Sequence, residues 1–332
     1  MALNIQRRRF LTLLAMGVGI PLSLRWTRHP VQMAQWEGVA LGAPASIRLY
    51  HQQAGRAQAA IHAALGELAR LESIFSLQRT DSALRRLNRE GELQAAPPDL
   101  VRLLQRALHL AQLSDGVYDP TVQPLWTVYQ RHFSQPNADP AGPTPKVLKA
   151  ALQLVNWRAV SLDPEQGRIV LQQPGMGLTL NGGAQGYITD RVAEILRAHG
   201  FDRMLVDMGE PLALSHKPDG TAWRLALANP ANPEEVLDTI EVVDRCVATS
   251  GGYGTLLDPA GRFTHIFDTR TGMTAPALQG VSVVALSGMI ADGLSTALLM
   301  VPQAKRLELL RAAGAEQAIF VAPQGITAHL IA

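Results

Sequence analysis

Runs with a helical period and runs that read as strands alternate irregularly along this chain, and that alternation narrows the folds open to it. Ile61, Leu65, Leu68, Leu71 and Phe75 recur at helical spacing, so an amphipathic helix is expected from about Gln58 to Phe75. A second follows Pro97-Pro98-Asp99, with Asp99 able to cap the first turn and Leu100, Leu103, Leu104, Ala107 and Leu108 on the apolar stripe; it ends near Ser114-Asp115-Gly116. A third runs from Tyr187 to His199 with Gly200 as a left-handed C-cap. Two more are read at Ala291 to Met300 and Gln303 to Ala313, the latter closed by Gly314. Between them lie strand-like runs at Ala45 to Tyr50, Arg168 to Gln172, Met204 to Met208, Trp223 to Ala228, Thr239 to Val243, Val281 to Leu286 and Ala318 to Ala322. The expected class is α+β: a mixed β-sheet core with flanking helices. Ser134 to Lys146, rich in Pro, Asn and Ala, reads as an exposed loop. No repeat or heptad run marks a boundary, so residues 31–332 are expected to form one compact unit.

The N-terminus is different in kind. Gln6-Arg7-Arg8-Arg9-Phe10-Leu11 leads into a short, weakly apolar stretch that ends near Leu24, the pattern of a twin-arginine export signal over residues 1–30. A basic cytosolic terminus or a core helix is the alternative. No Ala-x-Ala cleavage site is evident, so the segment is either cut unconventionally or kept as an inner-membrane anchor; either way a periplasmic location is expected. The first thirty residues hold five arginines and no acid, and without them 25 basic residues face 28 acidic ones. The basic pI therefore belongs to the leader and is no argument for nucleic-acid binding. After it, no run approaches the ~18 apolar residues of a bilayer span. The single cysteine, Cys246, rules out a disulfide framework within the chain and a zinc site of the CxxC type. Any chemistry must rest on oxygen, nitrogen or a hard metal.

Several polar clusters sit where elements meet. Asn181-Gly182-Gly183-Ala184-Gln185-Gly186-Tyr187 opens a helix after an extended run, where backbone amides can meet an anion; it matches neither a Walker A loop nor GxGxxG, and the glycines equally suit a simple tight turn. Asp292 and Thr296 are four apart, so their oxygens share one helix face, a pairing that suits Mg²⁺. On spacing alone the plainer reading has the stronger case: Asp292 as an acid facing the helix dipole and Thr296 as a tolerated helix residue. Val247-Ala248-Thr249-Ser250-Gly251-Gly252-Tyr253 reads as a substrate-facing turn after a strand. Ser250 lacks a Gly-x-Ser-x-Gly elbow, which disfavours a hydrolase triad. His265 lies with Asp268 and Arg270 in one extended segment and can serve as a general base or a structural residue.

Taken in order, six blocks resemble the ApbE-type FAD:protein FMN transferases. They are Phe75-Ser76 through Leu87-Asn88; Ser114 to Val122; Gly182 to Asp190; Val247 to Gly251; His265 to Gly272; and Ala291 to Ala297, and the resemblance runs from about residue 38 to the C-terminus. It implies cleavage of FAD at its pyrophosphate, transfer of FMN to a Ser or Thr hydroxyl of a partner flavoprotein, and release of AMP. It further implies Mg²⁺ held by Asp292 and Thr296 with a carbonyl near Gly182 and a contribution from Ser295. Flavin contacts map to Leu41, Gln78, Val117, Tyr118, Asp119, Thr179, Gln185 and Ile266, and His265 becomes the candidate acceptor of the hydroxyl proton.

The chain also departs from that pattern. Leu41-Gly42-Ala43 stands where Met-Gly-Thr is usual, Gln78 where an aromatic is usual, and Gln185 where a basic residue is frequent. Gly209-Glu210-Pro211 replaces a Gly-Gly-Asp or Gly-Gly-Asn turn, and its proline fixes φ and removes an amide donor. With the leader, these departures look similar to an exported branch that assists nitrous-oxide reductase maturation by flavinylating a membrane electron donor. The alternatives are a non-catalytic FAD- or FMN-binding accessory protein and an FAD pyrophosphatase.

Overall fold

The computed structural model describes residues 31–276 and 279–332. The expected export signal lies outside the described residues. In chain order the strands are β1 (Gln32–Ala40), β2 (Ala43–His51), β3 (Glu92–Leu93), β4 (Val160–Asp163), β5 (Arg168–Leu171), β6 (Met204–Asp207), β7 (Pro211–Leu214), β8 (Trp223–Asn229), β9 (Asn232–Val242), β10 (Arg245–Gly251), β11 (Gly280–Ala285), β12 (Gln317–Ala322) and β13 (Gly325–Ile331). The helices are α1 (Ala54–Phe75), α2 (Ala83–Glu90), α3 (Pro98–Leu113), α4 (Gln123–Phe133), α5 (Pro145–Leu152), α6 (Asn181–Ala198), α7 (Gly288–Met300) and α8 (Gln303–Ala312).

Eight strands form one antiparallel sheet in the order β1-β2-β6-β7-β10-β11-β12-β13. Alternation along each strand decides which face each residue serves. Val206, Ala248 and Val283 point to the face covered by α1, α3, α6 and α7, where they join Leu71, Phe75, Leu104, Ile188 and Leu298 in the main core. Their neighbours Leu205, Val247 and Val284 point the other way and pack under the two-stranded β8–β9 arm with Trp223 and Val242. A helix-covered sheet with a small second layer is the α+β class expected from the sequence.

The β1–β2 hairpin turns at Leu41-Gly42, both at positive φ (46° and 86°), the twist a two-residue hairpin loop needs. Asp99 does not cap α3, whose cap position is Pro97. Its carboxylate instead accepts from Tyr187 Oη (2.6 Å) on α6 and from Arg70 Nη2 (2.7 Å) on α1, tying three helices together. Sequence periodicity misses β1, β3, β4, β7, β10, β13, α2, α4 and α5, most of them short or broken by polar residues. Pro145 and Lys146, placed in the exposed loop, begin α5. Val247 to Gly251 is the last part of β10 and not a turn. Thr264 to Gly272 is not a continuous strand either: it holds isolated bridges at Thr264 and Phe267, and Phe267 packs against Trp126 and Tyr129 of α4.

Candidate functional site

The site is built where α6 meets α7. Helix α6 begins at Asn181, six residues before the expected start, with non-helical backbone at Gly182 and Gly183. The two helices approach so closely that a Cβ on Gly186 would lie 2.1 Å from the Gly288 carbonyl oxygen. Side chains at both positions are excluded, and the Gly186 amide is thereby brought onto α7. It donates to Asp292 Oδ2 at 3.0 Å. Asp190, one turn further along α6, caps α7 in place of a local residue: its oxygens accept from Ser287 Oγ (2.8 Å), Gly288 N (2.7 Å) and Met289 N (3.2 Å).

Asp292, Ser295 and Thr296 share one face of α7. Ser295 Oγ donates back to the Asp292 carbonyl at 2.8 Å. Gly182 lies against them: a Cβ there would be 3.2 Å from Thr296 Oγ1, and one on Gly293 would be 3.3 Å from the Gly182 carbonyl oxygen. Tyr118 Oη donates to that carbonyl at 2.8 Å. Ser250, at the end of β10, puts its hydroxyl 2.7 Å from Ser295 Oγ and 2.8 Å from Thr296 Oγ1. One carboxylate, three hydroxyls and a carbonyl thus converge, an all-oxygen donor set that fits a hard divalent cation.

Electrostatics point the same way. Asp292 is 3% exposed, and burial, with Asp190 adding repulsion, holds its carboxyl above the usual range although backbone amides oppose the shift. Glu210 is 8% exposed; its Oε2 accepts from Thr249 N at 3.0 Å, and burial with the charges of Asp292 and Asp207 pushes it well up. Asp190 is raised chiefly by burial. Among the described residues no Lys or Arg forms an ion pair with Asp190, Glu210 or Asp292. Buried acids without a cationic partner are costly, and a bound cation removes that cost.

Comparison with known proteins gives this arrangement a lineage. The sequence model of the ApbE family matches residues 41–320. The chain belongs to the ApbE family of flavin transferases. An FAD:protein FMN transferase of Treponema pallidum is 30% identical over 308 residues, covering 86% of this chain and 83% of that protein. One from Vibrio cholerae is 28% identical, with 88% of each chain covered. The crystal structure of the ApbE protein of Thermotoga maritima superposes with a TM-score of 0.78 at 25% identity, over 91% of this chain and 97% of that one.

Within this ApbE fold the remaining predicted residues fall into three groups. Leu41 donates its amide to Glu72 Oε1 (2.8 Å), and the adjoining Gly42 faces the side chain of exposed Gln78. Val117, Tyr118 and Asp119 follow α3. The Asp119 carboxylate accepts from Thr121 N (2.8 Å), Thr121 Oγ1 (2.6 Å) and Trp157 N (3.0 Å), and burial raises it. Thr179 is fixed by its amide to the Pro120 carbonyl (2.8 Å). Ile266 is buried, and its neighbour His265 stands edge-on to Trp126 with Nδ1 3.2 Å from the Thr255 carbonyl oxygen. Burial lowers the pKa of His265, which keeps the ring neutral. The turn at Gly252–Gly254 links Ser250 to Thr255 and so to His265.

Two residues escaped the sequence reading. Ser250 falls in the segment read as a substrate-facing turn and in a block of the family resemblance, but neither gives it a role at the oxygen cluster; the signal for one is its place at the end of a strand. Glu210 appeared only as part of a departure from the family turn. That turn and the departure at Gln185 are one structural unit: a Cβ on Gly209, at φ 111°, would lie 2.2 Å from Gln185 Nε2.

Proposed function

We propose that this chain transfers FMN from FAD to a Ser or Thr hydroxyl of a partner flavoprotein, with Mg²⁺ and with release of AMP. The observation that carries the reading is the convergence of buried Asp292 with the Ser250, Ser295 and Thr296 hydroxyls and the Gly182 carbonyl, beside acids that pair with no Lys or Arg among the described residues. Asp292 and Thr296 would hold Mg²⁺ by their side chains and Gly182 by its carbonyl, with Ser295 beside them. The ion, when bound, supplies positive charge to the pyrophosphate. Tyr118 fixes the Gly182 carbonyl, and the Gly186 amide fixes Asp292. Leu41, Gln78, Val117, Tyr118, Asp119, Thr179, Gln185 and Ile266 are the proposed flavin contacts.

In the transfer, a bond forms between the acceptor oxygen and the FMN phosphorus while the bridging P–O bond breaks and AMP leaves. His265 takes the hydroxyl proton. Its Nδ1 lies 3.2 Å from the Thr255 carbonyl oxygen and 3.3 Å from the Thr255 amide nitrogen. Nε2 therefore carries the free lone pair in the tautomer whose Nδ1–H donates to that carbonyl, the form the proton role requires; burial lowers the pKa of the ring. We place the enzyme in the periplasm through the twin-arginine leader, with a membrane-bound electron donor as its acceptor class.

The test is in-gel flavin fluorescence after incubation with FAD, Mg²⁺ and a flavoprotein domain carrying the acceptor site. The parent protein is expected to label the acceptor, Asp292→Ala to give no label, and His265→Ala to slow labelling by about 100-fold. A parent that binds FAD tightly and labels nothing is a carrier, and FMN and AMP released without an acceptor mark a pyrophosphatase. An unchanged rate in His265→Ala removes the proton role from that residue.

A further inference from the structure

The ladder between β7 and β10 is short: it pairs Arg245 with Ala213 and Cys246 with Leu212 and stops there. Continuing that register would set Pro211 against Val247, and a proline has no N–H to give to a ladder. Strand β10 nevertheless runs on to Gly251, and its last residues, Thr249 and Ser250 among them, pair with a strand only on the β11 side. On the other side the side chain of Glu210 stands in for the missing strand: its Oε2 accepts from Thr249 N at 3.0 Å. We propose that Glu210 is a positioning residue for flavin transfer, whose carboxylate, as a hydrogen-bond acceptor, holds the end of β10 so that Ser250 meets α7.

The turn that carries Glu210 is itself fixed. Thr189, fully buried on α6 next to Asp190, donates its hydroxyl to the Glu210 carbonyl at 3.0 Å and accepts from Met208 N at 3.2 Å. Asp207 Oδ1 accepts from Gly209 N at 2.9 Å. Glu210 thus reaches β10 from a turn anchored on α6, the helix whose Asp190 also caps α7. Glu210 is buried, and among the described residues the Thr249 amide is the one donor to its carboxylate. The next residue along β10, Ser250, places its hydroxyl against Ser295 and Thr296. Removing the acceptor leaves the Thr249 amide without its partner and frees the peptide that carries Ser250. The departure from the family turn is therefore self-compensating: Pro211 removes a rung, and Glu210 beside it supplies the substitute.

This role for Glu210 rests on the flavin transfer proposed above, so one arm of the test reads the strand itself. Acceptor labelling with FAD and Mg²⁺ is compared among full-length variants. Glu210→Ala, and Glu210→Asp, which keeps the charge but falls short of the amide, are each expected to slow labelling by at least about tenfold. Glu210→Gln keeps an acceptor oxygen at full reach without the charge and is expected to recover at least about a third of the parent rate. In a Ser250→Ala background, Glu210→Ala is expected to slow labelling by less than about twofold more, because both act through one hydroxyl. Hydrogen exchange at the Thr249 amide is expected to rise at least about tenfold in Glu210→Ala and Glu210→Asp and to stay near the parent value in Glu210→Gln.

A Glu210→Ala rate equal to the parent's, a Glu210→Gln rate as low as that of Glu210→Ala, or full multiplication of the Glu210→Ala and Ser250→Ala effects overturns the proposal. Urea midpoints identify a Glu210→Ala protein that fails to fold, and Glu210→Gln against Glu210→Asp then decides. A parent that labels no acceptor fails the proposed function instead. In that case exchange at Thr249 that is unchanged in Glu210→Asp overturns the hold on β10, and a rise reversed in Glu210→Gln supports it.

Discussion

Ser250 makes two hydroxyl contacts, at 2.7 Å to Ser295 and 2.8 Å to Thr296, and no other described residue joins β10 to that face of α7 through side-chain hydroxyls. Ser250→Ala removes both contacts and leaves Thr296 with only a long 3.5 Å bond to the Asp292 carbonyl. A hydroxyl freed to rotate is a poor ligand. The variant is expected to label acceptor about tenfold more slowly, or worse, while unfolding within about 1 kcal/mol of the parent. Steady-state transfer rates alongside urea midpoints separate the two effects. Equal rates would reduce Ser250 to a packing residue. At this scale sequence goes only part of the way. The i, i+4 pair Asp292 and Thr296 is visible as spacing, since a helix sets the geometry of residues one turn apart. Ser250 is 45 residues from its partners, and only the pairing of β10 in the sheet brings it to them.

The decisive elements are α6 and α7, and glycine sets their separation. Gly186→Ala would press a methyl group against the backbone of Gly288 and Met289, which cannot move aside as a flexible side chain could. It is expected to cost about 3 kcal/mol by chemical denaturation and to abolish transfer, because the Gly186 amide that holds Asp292 moves with the helix. Gly66 is the internal control. It lies on the exposed side of α1 with nothing within 4 Å of an added Cβ, so Gly66→Ala should stabilise by about 0.5–1 kcal/mol. A similar response at both positions would mean that α6 and α7 can separate freely. Sequence shows both glycines equally; the close approach that distinguishes them belongs to helix packing. Long amphipathic helices such as α1 and α3 are legible because their burial repeats every turn, whereas β10 carries polar residues at its functional end and so reads as a turn.

Across the molecule, buried acids make stability depend on pH. Asp207 is raised to about 6, chiefly by burial, with the Gly209 amide and Arg48 opposing the shift. Its native pKa exceeds the unfolded value, so the native state binds this proton more tightly. This contribution to stability is full below about pH 4, falls as pH rises through 6, and stays lost above it. The shift corresponds to roughly 2–3 kcal/mol. Asp207→Asn keeps an acceptor for the Gly209 amide (2.9 Å in the parent) but cannot ionise. It is expected to flatten the decline between pH 4 and 6 and to be more stable than the parent at pH 7.5, as read from denaturant midpoints. Parallel pH profiles for the two proteins would show that Arg48 already offsets the burial.

By itself the sequence determined the α+β class, the long helices and the family resemblance, because periodicity and local spacing are written into neighbouring residues. Tertiary structure alone decided that Ser250 meets Ser295 and Thr296, that Glu210 is buried near Asp292, and that Gly186 lies against Gly288. Those meetings depend on sheet order and helix contact, which join residues far apart in the chain and leave no local trace.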